Sequence, residues 1–291
     1  MPPLNFIKIL GNLKFLSHNL KLPVDFKKPQ GDPKGKQYGD AFKPADRIAI
    51  PHLIPPWFQP AEIPNKYYQD ACDKIGNDFK ELHDTMIDAV GFAHNMWKLQ
   101  AKFGSLQVVA ITAIGGPGCL SGPELESSIK MFPGCAAWMG NKGKYRDAVA
   151  KGVSTCFKNW QDQVTVPGLP WYPAFAAFPG PMAPPMPNIP VPLIMCPSAK
   201  ITDIVMPDSM KNEMVNALDS GLKDKDSDKQ HVALFDGIAT VLALSFLMWL
   251  PQQMVMLVLG KGPIPTFAPP FVPVGPVLGG DVISVPGHLM A

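Results

Sequence analysis

VTVPGLPWYPAFAAFPGPMAPPMPNIPVPLIMCPS, residues 164–198, holds eleven prolines and not one charged side chain. Each proline fixes φ and removes a backbone donor, so helix and central strand are excluded over most of the stretch. Polyproline II or irregular extended chain remains. Disordered segments are poor in aromatics and rich in charge, whereas this one carries Trp171, Tyr172, Phe175, Phe178, Met182, Met186 and Ile189. It reads as an ordered arm, buried or half-buried against something.

Working outward, the 291-residue chain as a whole is 46% hydrophobic and 17% charged, with 34 prolines and 25 glycines. That is enough apolar material for a substantial core. Charge this sparse implies surface hidden against other subunits or lipid. A net charge of +2 with no concentrated basic face argues against nucleic acid as a partner. The five cysteines, Cys72, Cys119, Cys135, Cys156 and Cys196, are widely spaced with no C-x-x-C pair, and read as reduced, buried thiols. The start of the chain lacks the uninterrupted apolar run of a secretory signal, so folding in a reducing cytosol is expected.

The first 24 residues carry Lys8, Lys14 and Lys21 between apolar positions and read as a basic amphipathic helix, suited to docking on protein or to an anionic membrane. Residues 25–64 are polar and proline-punctuated, an extended arm with Trp57 and Phe58 as anchors. Residues 1–64 thus form one segment, and 65–291 a helical core with proline-rich arms at 164–198 and 262–291.

From Asn65, apolar residues recur at Tyr68, Cys72, Ile75, Phe79, Leu82, Met86, Val90, Ala93 and Trp97, the period of a straight amphipathic helix. SLQVVAITAI reads as a buried strand, and Ser121-x-x-Glu124 with Pro123 as a helix start. Residues 132–144 read as a loop. Further helices are expected over Tyr145–Asp162 and Pro207–Leu222, with a solvated charged loop at 223–230. Residues 237–260 carry no charge and could span a bilayer, but Pro251 interrupts them and Asp236 opens them. A buried helix ending at Trp249, then a strand over Met254–Leu259, fits as well.

Three segments share one order of features. Asp88-Ala-Val leads to Trp97, Asp147-Ala-Val to Trp160 and Asp236-Gly-Ile to Trp249, each followed by glutamine, an extended apolar segment and a Gly/Pro cluster. The expectation is an α+β, helix-dominated fold with three or more long helices, short strands, extended Pro/Gly-rich apolar arms and a degenerate internal threefold repeat.

GGPGCLSGPELESS has neither the Gly-Lys-Ser/Thr of a phosphate loop nor G-x-G-x-x-G spacing. His83, Asp84, Asp88 and His94 read as a solvated helix face, and the remaining histidines have no ligand-spaced partners. No G-x-S-x-G elbow occurs. No catalytic, cofactor-binding or metal-binding residue is assigned, and no cofactor is expected.

In texture, the uncharged arms PGLPWYPAFAAFPGPMAPPMPNIPVPL and FAPPFVPVGPVLGG, the extended termini and the reduced cysteines resemble structural components of phage virions and contractile injection particles. The resemblance implies a non-catalytic subunit of a tail, baseplate, cap or plug, folded in the cytoplasm, contacting other subunits and forming a homo-oligomer. Trp57, Phe58, Trp171, Tyr172, Phe175 and Phe178 would be its interface anchors. The alternatives are a membrane-associated protein using residues 233–260, and an enzyme.

Overall fold

A computed structural model describes residues 3–18, 66–176, 178, 180–226, 229–264 and 276–289, with backbone alone at 16, 66–76 and 176. The arm expected at 25–64, with Trp57 and Phe58, lies outside the described residues. Internal contacts divide the chain into two units, residues 1–18 with 83–291, and residues 19–82. The described part of the second unit is helical from Lys66. The chain is a helix-rich α+β protein with short antiparallel strands.

In chain order the elements are α1 (Lys8–Leu16), α2 (Lys66–Gln100), β1 (Lys102–Phe103), β2 (Gln107–Val109), β3 (Thr112–Gly115), β4 (Leu120–Ser121), α3 (Leu125–Lys130) and α4 (Gly140–Asp162). There follow β5 (Val166–Pro170), α5 (Pro173–Ala176), β6 (Met182–Pro187), β7 (Val191–Pro192), a 3-10 turn at Leu193–Met195, α6 (Thr202–Val205), α7 (Pro207–Ala217) and α8 (Ser220–Lys223). The chain closes with α9 (Gln230–Gln252), β8 (Met254–Val255), β9 (Leu259–Pro263) and β10 (Asp281–Ile283).

The apolar run expected to be a membrane span or a buried helix is α9. It is long and apolar enough to cross a membrane by length and composition, yet 72% of its most apolar window is buried inside the fold, against α1, α7 and α6. Its start is built by the charged loop. The Asp226 carboxylate accepts from the Gln230 and His231 amides at 3.0 and 2.8 Å, satisfying donors that a helix leaves orphaned at its first turn.

The amphipathic start, α1, docks on α9 of its own chain. Lys8 reaches Asp88 at 2.6 Å, while Lys14 and His18 reach Asp236 at 3.4 and 2.8 Å. Close approach depends on missing side chains, because a Cβ on Gly11 would lie 2.3 Å from His83 Nε2, and one on Gly237 would lie 2.9 Å from the Gly11 carbonyl. Helix α4 crosses α7 in the same way, with a Cβ on Gly152 falling 2.6 Å from the Met214 backbone nitrogen.

The arms are sheet edges more than free polyproline. SLQVVAITAI is a hairpin, β2 and β3, rather than one strand, and Ala110 takes a positive φ of 54° at its turn. β3 then pairs with β5 of the 164–198 stretch. β6 pairs with β9, and β9 with β10. The prolines are accommodated because β5 and β6 each stand at the end of a three-stranded sheet, where missing donors leave few ladder bonds unmade. Phe175 lies in a four-residue helix, α5, two residues beyond Trp171, within the stretch whose prolines exclude helix over most of its length: Pro173 stands at the first helical position, where no amide donor is needed. The expected loop at 132–144 is helical from Gly140.

Candidate functional site: a tryptophan cluster and the three arms it roots

Trp97 near the end of α2, Trp160 near the end of α4 and Trp249 near the end of α9 meet in the core, each at most 2% exposed. Their ring centroids are 6.1 Å apart for 97–160, 6.1 Å for 97–249 and 6.0 Å for 160–249. Phe157 packs against Trp97 at 4.8 Å and Trp160 at 5.0 Å, and Phe246 lies 6.3 Å from Trp249. Tilted and edge-on pairs of this kind contribute about 0.5–1.5 kcal/mol each beyond area burial.

Glutamines that follow Trp160 and Trp249 satisfy two of the three indole donors. Trp97 Nε1 donates to Gln161 Oε1 at 2.6 Å, and Trp249 Nε1 to Gln253 Oε1 at 3.0 Å. The amide of Gln253 in turn donates to the Leu289 carbonyl at 3.0 Å. Gly122 lies flat against the Trp97 indole, where a Cβ would sit 2.3 Å from Nε1.

An arm leaves from beside each tryptophan and returns to it. After Trp97, β1 pairs with β4 in register Phe103↔Leu120, and Gly104 donates to the Cys119 carbonyl at 2.8 Å. After Trp160, Val164 bridges Ser198, and Ser198 Oγ donates to the Trp160 carbonyl at 2.8 Å. After Trp249, the Met256 amide donates to the His288 carbonyl at 3.0 Å. Neighbouring arms are stitched together: β3 with β5, β7 with β8, and Val108 with Gly280.

Histidines correct the expectation of a solvated face. His94 is fully buried and His83 nearly so. The imidazole of His94 stacks on Trp97 at 5.8 Å and meets Trp249 edge-on at 4.5 Å, with neither ring nitrogen hydrogen-bonded. Burial holds its pKa well below the usual histidine value, and the nearby Lys98 ammonium pushes the same way. His83 is lowered chiefly by burial, against the opposing effect of Asp84, 2.8 Å away. His288 accepts the Phe103 amide proton on Nδ1 at 2.8 Å, which requires the neutral ring with its proton on Nε2. Burial lowers its pKa to about 4. The signal for His94 was present in the sequence: it lies four residues after Val90 and three before Trp97, on the apolar stripe itself.

The cysteines are buried and unpaired at 119, 135, 156 and 196. Burial pushes the Cys119 thiol up to about 11, Cys156 and Cys196 to about 12, and Cys135 upward. Among the described residues, no group of three His, Cys, Asp or Glu side chains could hold a metal ion.

Of the expected interface anchors, Trp171 and Phe175 are interior residues of this chain. Trp171 Nε1 donates to the Met186 carbonyl at 2.9 Å, its ring lies over Gly260, and Phe175 packs on it at 5.8 Å. Phe178 is half-buried and Tyr172 is 52% exposed, so of these four Tyr172 is the side chain most open to a neighbour. Neither a family model, nor a curated protein, nor a solved structure matches this chain.

Proposed function

We propose that this chain is a non-catalytic structural subunit of a large bacterial or phage assembly, a tail, baseplate, cap or plug component, built as an internal threefold repeat. The observation that carries the reading is the meeting of Trp97, Trp160 and Trp249 at nearly equal separations of 6.1, 6.1 and 6.0 Å. Each tryptophan lies in the last turn of a helix, and from beside each an arm departs and returns. The returning segments are Cys119–Ser121, Cys196–Ser198 and His288–Leu289. One chain thereby offers three similar faces about one centre, which suits a place on or near a threefold axis, where a homotrimeric neighbour presents three identical surfaces. Segregation of charge supports the same reading: residues 103–123 and 164–199 contain no Lys, Arg, Asp or Glu, and 253–289 contain Lys261 and Asp281 alone.

Sedimentation of the native protein from lysates of its source cells tests this. The chain is expected in a fast-sedimenting particle fraction, at one copy per three copies of a contacting neighbour. Recovery wholly at the size of the free chain contradicts the proposal.

A further inference from the structure

Beyond the cluster, the outer strands of the arms follow one another in a circuit. The first arm supplies β2 and β3, the second β5 and β6, the third β9 and β10. Ladders join β2 to β3, β3 to β5, β6 to β9 and β9 to β10. Val108 of β2 and Gly280, one residue ahead of β10, exchange amide hydrogen bonds at 2.9 and 3.0 Å, which carries the third arm back to the first. One joint remains, between β5 and β6. Among the described residues it has no ladder, yet the Ile189 amide donates to the Pro170 carbonyl at 2.8 Å and Trp171 Nε1 to the Met186 carbonyl at 2.9 Å. The ladders and the Val108 bridge are all antiparallel, and the pairs Pro170 with Ile189 and Trp171 with Met186 run the same way. Buried residues alternate with exposed ones, Val108 with Val109, Ala113 with Thr112, Leu169 with Gly168 and Ala183 with Met182, so one face of the circuit is core.

We propose that these strands form one closed six-stranded antiparallel barrel, and that the joint between β5 and β6 is a gate in its wall, held shut by the Trp171 indole. Closure removes the exposed strand edges that the arms would otherwise present. Composition makes this joint the weak one. Pro167 and Pro170 on β5, and Pro184, Pro185 and Pro187 on β6, have no amide proton, so a ladder there stays incomplete. Gly168, in the middle of β5, borders open space, since a Cβ there would meet nothing within 4 Å. Trp171 replaces the missing donors with its side chain. Its amide donates to the Ile111 carbonyl in the β2–β3 turn at 2.7 Å, its indole proton goes to β6, and its ring covers Gly260 of β9, where a Cβ would fall 2.8 Å from the ring. One buried side chain thus spans the joint from the first arm to the third. The inner end of the second arm is fixed separately, by the Thr165 amide on the Pro197 carbonyl at 2.8 Å and by Ser198 on Trp160. Opening the gate breaks the two bonds at Pro170 and Met186 and leaves the tryptophan cluster whole, as local opening takes the least-bonded part of a fold first. This inference goes beyond the assembly reading and does not depend on it; the gate operates in a free chain.

Native-state hydrogen exchange of the full chain, read residue by residue by NMR, tests the gate. The Ile189 amide and the Trp171 indole proton should exchange through one opening, with protection equal within about threefold and at least about tenfold below that of the Val108 and Gly280 amides. Trp171→Phe removes the indole donor and keeps an aromatic ring. It should lower Ile189 protection by about tenfold, while the indole protons of Trp97 and Trp249 keep their wild-type protection. Phe175→Leu, which loosens the packing on Trp171 and leaves its hydrogen bond, should change Ile189 by less than about threefold. The wild-type measurement decides the matter whether or not Trp171→Phe folds. Equal protection of Ile189, Val108 and Gly280 in the wild type overturns the gate, as does undiminished Ile189 protection in folded Trp171→Phe. Exchange of the Trp97 and Trp249 indole protons in step with Ile189 would make the opening global and also overturn it.

Discussion

His94 meets Trp249 edge-on at 4.5 Å, and both nitrogens of that imidazole are buried without a hydrogen-bond partner. A polar ring sealed among aromatics can stay there only while neutral. His83 and His288 are also buried, with pKa values held below the usual histidine value of 6.5. The folded state therefore binds fewer protons than the unfolded state once pH drops below that value. Stability is full above about pH 6.5 and is lost as pH falls towards the folded pKa values, at up to about 1.4 kcal/mol per pH unit for each group. For His288, whose folded pKa is about 4, the loss over that window is on the order of 3 kcal/mol. Urea denaturation at pH 7.5, 6.0 and 5.0 should show a midpoint falling steadily with acid; a flat profile contradicts the neutral buried histidines.

His94→Phe separates this residue from the other two. Replacing an unsatisfied buried ring by an apolar one of similar shape should be neutral or stabilising, by about 1 kcal/mol. The acid slope should become shallower by up to about 1.4 kcal/mol per pH unit. Destabilisation beyond about 2 kcal/mol would mean that the imidazole makes a polar contact that holds the cluster.

Gly152 lies where α4 meets the backbone of Met214 on α7, and a Cβ there would fall 2.6 Å from the nitrogen and 2.8 Å from Cα. In a free helix, Gly→Ala gains about 1 kcal/mol. Here the obstacle is backbone rather than a movable side chain, so Gly152→Ala should destabilise by about 1–3 kcal/mol, measured by urea unfolding. A gain in stability would show that the two helices separate at little cost.

Much of this architecture is legible in the sequence because periodicity and proline act locally. The apolar stripe through Met86, Val90, Ala93 and Trp97 announces its helix, and Pro251 with Gln253 marks where α9 gives way to β8. The order Asp, Trp, Gln, arm is also readable, and Trp97, Trp160 and Trp249 lie two or three residues before the ends of α2, α4 and α9. What could not be read is long-range. Nothing local to Trp97 says that its indole proton goes to Gln161, 64 residues on. The proline arms looked like polyproline because pairing partners such as β9 for β6 lie far along the chain. The polar identity of His94 points to solvent, whereas its position places it on the buried stripe.

The buried cysteines should behave as inert hydrophobes. Only the thiolate reacts readily, and burial holds the thiol pKa at about 11 for Cys119 and about 12 for Cys156 and Cys196. Labelling native protein with an aromatic disulfide at pH 8, followed by peptide mapping, should leave 119, 135, 156 and 196 unmodified for hours; guanidinium should release all four. Prompt labelling of any one in native protein contradicts its placement.

Trp97, Trp160 and Trp249 form a single closed cluster beside which the arms begin. Double-mutant cycles for Trp97→Leu, Trp160→Leu and Trp249→Leu, read by urea denaturation, test it most directly. Each single substitution should cost about 2–5 kcal/mol. All three pairs should show coupling of similar size, about 0.5–1.5 kcal/mol. One pair that is additive within about 0.3 kcal/mol while the other two couple would contradict a closed cluster and, with it, the proposed threefold repeat.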